Sequence, residues 1–190
     1  MVTQTLKPRY LLSHIPYKAI VEKYLLSVGF IIKYLMRNFM TTVRQATIDD
    51  AHILINFQLK MARETERVEL DKNAVTQGVT RVFCDSSKGS YIVAEEKKTV
   101  VGCLLLTYEW SDWRNGTVWW IQSVYVDPKY RSKGVFSQMY AFLKKKVTDA
   151  DDVLGVRLYV DKNNKRAQKT YKALGMNAEH YLLYEWMNCL

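Results

Sequence analysis

The sequence has few of the residues that build glycine-rich loops, metal sites or disulfide frameworks. Its eight glycines are never closer together than eleven positions. This spacing excludes the dinucleotide fingerprint GxGxxG, the phosphate loop GxxxxGK[ST] and the nucleophile elbow GxSxG. The three cysteines (Cys84, Cys103 and Cys189) and three histidines are scattered along the chain. We therefore expect no disulfide framework and no metal site, and the cysteine usage favours a cytoplasmic location.

Long apolar runs are also missing. The longest uncharged run near the N-terminus is Tyr24 to Ile32, which is far shorter than the roughly 20 apolar residues that cross a bilayer. Residues 19–37 predict an amphipathic helix with a basic polar face, which could bind a membrane surface or a partner. Alternatively, residues 1–39 lie upstream of a true start at Met40, and we favour this reading. Residues 40–190 carry a self-sufficient domain pattern.

The net charge of +9 is unevenly distributed. Residues 1–39 hold six basic residues and one acid, and residues 128–172 hold twelve basic residues and four acids. A cationic segment of this kind suits a polyphosphate ligand, nucleic acid or an acidic membrane surface. A solvated face of lysine-rich helices explains it equally well.

The periodicity from Thr42 onward alternates between strand and helix patterns. Strands are predicted over 42–47, 91–96, 99–110, 117–126, 153–161 and 177–186. Helices are predicted from Asp49 towards Arg63 and over 70–83, 135–147 and 165–174. Asn115-Gly116 predicts a two-residue hairpin turn. The order β-α-α-β-β-β-α-β-α-β predicts an α/β fold with a mixed sheet, an antiparallel meander in its first half and helical crossovers in its second.

One junction, Val124 to Ser137 ("VYVDPKYRSKGVFS"), combines a strand end, several cations and a glycine before a helix. The first amides of that helix are unpaired and lie at the positive end of the helix dipole, which favours an anion. Gly134 places no Cβ in the path of phosphate oxygens, and Arg131 and Lys133 add positive charge. A glycine-relaxed turn before a surface helix is the alternative.

A second block, "NNKRAQKTYKALGM", reads N-x-x-A-x-x-x-Y-x-x-x-G-M from Asn164. Together with "VYVDPKYRSKGV", it resembles the GNAT superfamily of acetyl-CoA-dependent N-acetyltransferases, whose signature is [RQ]-x-x-G-x-[GA] after a strand. The resemblance covers about 150 residues and excludes the N-terminal extension. The sequence departs from the family at Phe136, where Gly or Ala is usual, so this side chain must point away from the phosphates into the core.

The resemblance implies an acetyl-CoA site and no metal. The pyrophosphate would sit on the backbone of Ser132, Lys133, Gly134, Val135, Phe136 and Ser137, with Arg131 adding charge. The pantetheine arm would pair with the backbone of Val124, Tyr125 and Val126, and Asn164 would contact the CoA arm. The implied activity is transfer of an acetyl group to a primary amine by direct attack on the thioester.

The resemblance also implies two catalytic roles. Tyr171 matches the family's general acid, which protonates the departing thiolate. Some members carry a glutamate where this chain has Tyr159, so we take Glu109 as the best candidate for the general base. Each of these residues could instead be an ordinary surface side chain.

The acceptor is predicted near "ARETERVELD", where Glu64 and Glu66 suit a cationic amine, with Trp110 as a pocket wall. Self-pairing with neighbouring arginines is the alternative for these acids. The partner would be a small-molecule or protein amine, with no nucleic acid expected and a monomeric or homodimeric state. A non-catalytic acetyl-CoA-binding module and a nucleic-acid-binding basic domain are the competing functions.

Overall fold

The computed structural model describes residues 41–188. They form one five-stranded sheet and four α-helices, so the predicted mixed α/β fold is confirmed. The strands are β1 (Thr42–Gln45), β2 (Ser90–Glu96), β3 (Thr99–Ser111), β4 (Gly116–Val126) and β5 (Val153–Arg157). The helices are α1 (Ala51–Met61), α2 (Lys72–Cys84), α3 (Val135–Thr148) and α4 (Lys165–Ala173). Among these helices, none is long and apolar enough to cross a membrane.

The sheet follows the sequence order β1-β2-β3-β4-β5. The first four strands form an antiparallel meander, and β5 pairs in parallel with β4. This parallel ladder ends at the pair Trp120 and Arg157, whereas β4 continues to Val126 along β3. The two strands therefore part beyond Trp120, and within the described part of the chain one edge of residues 121–126 has no strand partner.

Alternation along the strands divides the core between the two faces of the sheet. Leu104 and Leu106 pack with Met139 and Leu143 of α3 on one face. Cys103 packs with Leu54 and Phe57 of α1 on the other. Helices therefore cover both faces, and the parted strands lie between the two layers.

The loop between β3 and β4 corrects the predicted two-residue hairpin. Ser111 pairs with Gly116, so the connection contains four residues, 112–115. Asn115 takes a left-handed conformation with φ of 49°, but Gly116 is already part of β4. A Cβ at Gly116 would lie 2.8 Å from the Leu154 side chain. Glycine is needed here for close packing against β5 rather than for the turn.

Two predictions at the C-terminal end were wrong. The strand predicted over 153–161 ends at Arg157 because the chain then diverges from β4 and loses its ladder. The strand predicted over 177–186 does not form, and the side chains of Tyr184 and Trp186 are each 87% exposed. This segment contacts its surroundings through side chains, such as the Tyr181 ring lying 5.6 Å from the Arg157 guanidinium. The helix predicted at 19–37 lies outside the described residues.

Candidate functional site

The loop before α3 has the geometry of an anion site. Asp127 accepts a hydrogen bond from the Lys129 amide at 3.0 Å and fixes the turn that leaves β4. Gly134 then begins α3 with φ of 78°, in the left-handed region that glycine tolerates best. A Cβ at Gly134 would meet no atom within 4 Å. The first helical amides therefore lie beside open space at the positive end of the α3 dipole.

The cations of this loop are held by specific contacts. Arg131 donates from Nε to the Val126 carbonyl at 2.8 Å, and its guanidinium lies 2.5 Å from the Glu64 carboxylate. The Tyr125 hydroxyl donates to the other oxygen of Glu64 at 3.0 Å. The pKa of the Tyr125 hydroxyl is raised to about 12. Burial is the largest cause, and the hydrogen bond to Glu64 and the Glu64 charge add to it. The loop is thus joined to the segment after α1.

A β-bulge interrupts β4 where the strands part. Leu105 pairs with Gln122 but Cys103 pairs with Tyr125, so β4 holds one residue more than β3 across this interval. Ser123 absorbs the extra residue with φ of 50°, and Val124 follows it towards the loop before α3. Bulges redirect backbone groups and are common beside active sites. Here the bulge lies at the unpaired edge of β4.

Helix α4 faces the same loop. The Asn164 side chain accepts a hydrogen bond from the Ala167 amide at 3.0 Å, so it caps its own helix. Tyr171 is half-buried, and burial raises the pKa of its hydroxyl. Its ring lies 5.4 Å from that of Phe136, edge to face. Phe136 also packs against the apolar core beneath α3, which turns this large side chain away from the open space at Gly134.

Glu109 is bound on both carboxylate oxygens. Oε1 lies 2.7 Å from an Arg157 nitrogen, and Oε2 accepts a hydrogen bond from the Trp120 indole. These contacts join β3, β4 and β5 just before the point where β4 and β5 part. The carboxylate is still 39% exposed, and an ionised carboxylate has about four acceptor positions, so it can accept a further hydrogen bond.

A cavity of about 380 Å³ opens beside Glu109. The Tyr159 hydroxyl donates to Gln122 Oε1 at 2.8 Å, and Gln122 Nε2 donates to the Thr107 hydroxyl at 3.3 Å. The lining residues are Thr107, Tyr108, Glu109, Trp120, Gln122, Tyr159 and Leu183. Because Gln122 directly precedes the bulge at Ser123, this cavity adjoins the parted edge of β4.

A second cavity of about 330 Å³ lies between α3 and α4. Ser137 of the first turn of α3 lines it, together with Arg166 and Lys169 of α4. Arg166 also donates to the Ser132 hydroxyl at 2.8 Å. Basic side chains therefore extend from the anion loop along α4. Among residues 41–188, no three His, Cys, Asp or Glu side chains are grouped so as to hold a metal ion.

Comparisons with known proteins agree with this architecture. The model of the acetyltransferase (GNAT) family matches residues 55–176. A solved structure of a possible acetyltransferase from Clostridium difficile 630 is 40% identical, covers 80% of this chain and 99% of its own, and has a TM-score of 0.74. This chain belongs to the GNAT family. As a GNAT acetyltransferase, it is an acetyl-CoA-dependent acyltransferase.

More distant structures share the GNAT fold. The aminoglycoside N-acetyltransferase AAC(6')-Iy in complex with CoA is 14% identical, covers 79% of this chain and 96% of its own, and has a TM-score of 0.65. An aminoglycoside acetyltransferase from an uncultured soil metagenomic sample, solved with sisomicin, is 14% identical and covers 82% of this chain and 99% of its own, with a TM-score of 0.64. No curated protein matches this acetyltransferase.

The structure of this GNAT acetyltransferase brings only some of the predicted site residues together. Residues 131–137 form one loop and helix start beside Val124–Val126. Glu64 contacts Arg131 and Tyr125 rather than an open pocket, whereas Glu66 is exposed. Trp110 is 61% exposed and, as the residue after Glu109 on β3, points to the opposite face of the sheet.

Most residues that line the cavity beside Glu109 were missing from the predicted site, among them Thr107, Gln122 and Tyr159. The information that could have identified these residues is the register of β3 against β4. In that register Thr107 is opposite Trp120 and Leu105 is opposite Gln122. A two-residue turn at Asn115-Gly116 gives the wrong register. The side chains on the cavity face could therefore not be matched from the sequence.

Proposed function

We propose that this enzyme transfers the acetyl group of acetyl-CoA to a primary amine by direct attack on the thioester. The observation that supports this most directly is the juxtaposition of two features. Gly134 leaves open space at the start of α3, and the bulged, parted edge of β4 leads directly to that loop. One feature suits a pyrophosphate, and the other suits an amide-rich arm that needs backbone partners.

In the proposed complex, the pyrophosphate binds the backbone amides of residues 132–137, with Arg131 and Lys133 supplying charge. The pantetheine arm extends along Val124–Val126, whose outer edge lacks a strand partner in the described fold. The phosphate end of the nucleotide lies towards the second cavity, because Arg166 and Lys169 line it. Asn164 caps α4 with its side chain, so it acts by setting the position of that helix rather than as a direct ligand.

The proposed chemistry uses few protein groups because a thioester is already activated. A neutral amine attacks the carbonyl carbon, the C–N bond forms, and a backbone amide at the bulge near Val124 stabilises the oxyanion. The C–S bond then breaks, and Tyr171 donates a proton to the sulfur. Burial holds the pKa of Tyr171 above its usual value, which keeps the proton available through neutral pH.

Glu109 is the carboxylate that lines the acceptor cavity. We propose that it orients the attacking amine and receives the released proton through water. Arg157 and Trp120 hold the carboxylate in place, which restricts its rotation and fixes the direction of its remaining lone pairs. Glu109 then releases this proton to bulk water. Tyr171 takes up a proton from bulk water to replace the one it donated to the sulfur.

The test is a calorimetric titration of acetyl-CoA into the full chain, followed by measurement of CoA release with a panel of primary amines. We expect one site per chain and amine-dependent release of CoA, with an acetylated product visible by mass spectrometry. Saturable binding without release for any amine would support a non-catalytic acetyl-CoA-binding module. An absence of binding at millimolar acetyl-CoA would contradict the proposed cofactor site.

A further inference from the structure

We propose that the acceptor is a primary amine with a single positive charge, carried on an aromatic or other flat apolar group, and that it binds in the cavity beside Glu109. This inference rests on the proposed function and specifies its acceptor. It also separates this enzyme from the aminoglycoside acetyltransferases that share its fold. At 14% identity, that likeness extends to the fold alone.

Two aromatic rings form part of the wall of the cavity. Trp120 and Tyr159 pack against each other at a tilt, with ring centroids 6.2 Å apart and an interplanar angle of 50°. Tyr108, the residue before Glu109 on β3, points to the opposite face of the sheet, where its ring contacts Trp119. The cavity is open to solvent, and its volume of about 380 Å³ is enough for a small amine. Aromatic faces attract both flat apolar groups and a nearby ammonium group, so the walls suit an arylalkylamine.

The charges around the cavity argue against a polycation. Among residues 41–188, Glu109 is the only carboxylate in the lining, and the Arg157 guanidinium lies 2.7 Å from it. Of the two acids after α1 that were candidates for amine binding, Glu64 is bound by Arg131. Glu66 is exposed and does not line the cavity. A ligand with several ammonium groups requires several unbalanced carboxylates, which the described lining does not supply.

The polar groups of the cavity place the amine near the bulge. Tyr159 and Thr107 hold the Gln122 side chain from both ends. Gln122 precedes Ser123, the bulged residue beside the proposed thioester position. An ammonium group that donates to the free lone pairs of Glu109 therefore lies on the side of β4 where the attack must begin, and it loses one proton to water through Glu109 before the neutral amine attacks. The aromatic part of the acceptor then packs against the rings of Trp120 and Tyr159.

The experiment compares CoA release with phenylethylamine, hexylamine, spermidine and sisomicin at fixed, saturating acetyl-CoA. We expect kcat/KM for phenylethylamine to exceed that for sisomicin and spermidine by at least tenfold. Equal or greater kcat/KM with either polycation would overturn the inference while leaving the proposed acetyl transfer intact. Loss of acetyl-CoA binding itself would instead contradict the proposed function.

Variants test the same assignment independently. Tyr159→Leu should raise KM for phenylethylamine at least fivefold, whereas Tyr159→Phe, which keeps the ring, should change it much less. Trp113→Leu is the matched control, because Trp113 is 88% exposed and does not line the cavity. The acetyl-CoA Kd should be the same in all three variants. An unchanged KM in Tyr159→Leu would overturn the inference. If no amine of the panel is acetylated, the inference is tested by the binding of phenylethylamine to the protein–CoA complex. Failure of phenylethylamine to bind would overturn the inference.

Discussion

The Glu64 carboxylate lies 2.5 Å from the Arg131 guanidinium, although the two residues are 67 positions apart in the chain. Glu64 lies in the π-helical turn Ala62–Glu66 that follows α1, and Arg131 lies directly before the anion loop. The contact therefore links the helix layer on one face of the sheet to the proposed pyrophosphate site. In the proposed acetyl-CoA complex, Arg131 is shared between the Glu64 carboxylate and the pyrophosphate.

Removing the Glu64 charge should tighten cofactor binding. Both side chains are about one-third exposed, and pairs of this kind contribute about 0–1 kcal/mol. We expect Glu64→Gln to lower the Kd for acetyl-CoA by up to about fivefold at low salt, because a competing anion is lost. Calorimetric titration measures this change, with Glu66→Gln as the control. A higher Kd in Glu64→Gln would show that Glu64 positions Arg131 for the phosphates instead.

Gly134 should be required for binding rather than for folding. Its φ of 78° is costly for any other L-residue, by about 1–2 kcal/mol, but a Cβ meets no atom within 4 Å. We therefore expect Gly134→Val to lower the melting temperature modestly and to abolish acetyl-CoA binding, since the Cβ substituents occupy the open space at the start of α3.

Gly175 provides a matched comparison. It has φ of 86° and also leaves open space for a Cβ, but it lies after α4 and outside the anion loop. Gly175→Val should cost similar stability and leave the acetyl-CoA Kd unchanged. If both variants bind acetyl-CoA normally, the start of α3 is not the pyrophosphate site.

The turn at Gly134 and the helix that follows it could be predicted from the sequence because their determinants are local. The strand end, Arg131, Gly134 and the helix pattern after it all lie within fourteen residues, Val124 to Ser137. The cavity beside Glu109 could not be predicted, because it depends on strand register. Thr107, Gln122 and Tyr159 meet only when β3, β4 and the chain after β5 are aligned. A bulge at a serine, with φ of 50° at Ser123, carries no residue signal comparable to that of a glycine.

The failed prediction of a last strand has a similar cause. Residues 177–186 are apolar enough for a strand, but a strand also needs a backbone partner. The edge of β5 is five residues long, Val153–Arg157. The C-terminal segment contacts β5 through side chains, such as the Tyr181 ring against Arg157. Apolar content predicted burial, and the large side chains from Tyr181 to Met187 are instead mostly exposed.

Alkaline pH should destabilise the fold through Cys103. Burial, the larger cause, raises the pKa of this thiol to about 12 despite its weak hydrogen bond with the Tyr125 backbone. The folded state keeps the proton that the unfolded chain releases from about pH 8.5 upward. The Cys103 contribution to stability is therefore complete below that pH and is lost as pH rises towards 12, at about 1.4 kcal/mol per pH unit for one group.

Chemical denaturation between pH 8 and pH 11 measures this slope. In a Cys189→Ala background, Cys103→Ala should flatten the decline in the free energy of unfolding, whatever its effect on absolute stability. Cys84→Ala is the control, because Cys84 is exposed. In the native state, a thiol reagent should label Cys84 and leave Cys103 unreacted. Equal labelling of both thiols without unfolding would contradict the buried position of Cys103.

Tyr171→Phe should separate turnover from binding. The substitution removes one hydroxyl and keeps the ring that packs against Phe136, so acetyl-CoA affinity should stay within about twofold of the wild-type value. Loss of a general acid lowers kcat by about 10²–10⁴-fold. Because burial raises the pKa of Tyr171, the wild-type hydroxyl remains protonated up to and beyond its usual pKa near 10. The acid form therefore persists throughout the neutral range, and kcat should show no loss from this group below pH 9.

Tyr140→Phe is the matched control, since Tyr140 also stacks on Phe136 but is buried in the core. A fall in kcat for Tyr140→Phe equal to that for Tyr171→Phe would assign the effect to packing around Phe136. Weakened acetyl-CoA binding with unchanged kcat in Tyr171→Phe would remove the general-acid role from Tyr171 altogether.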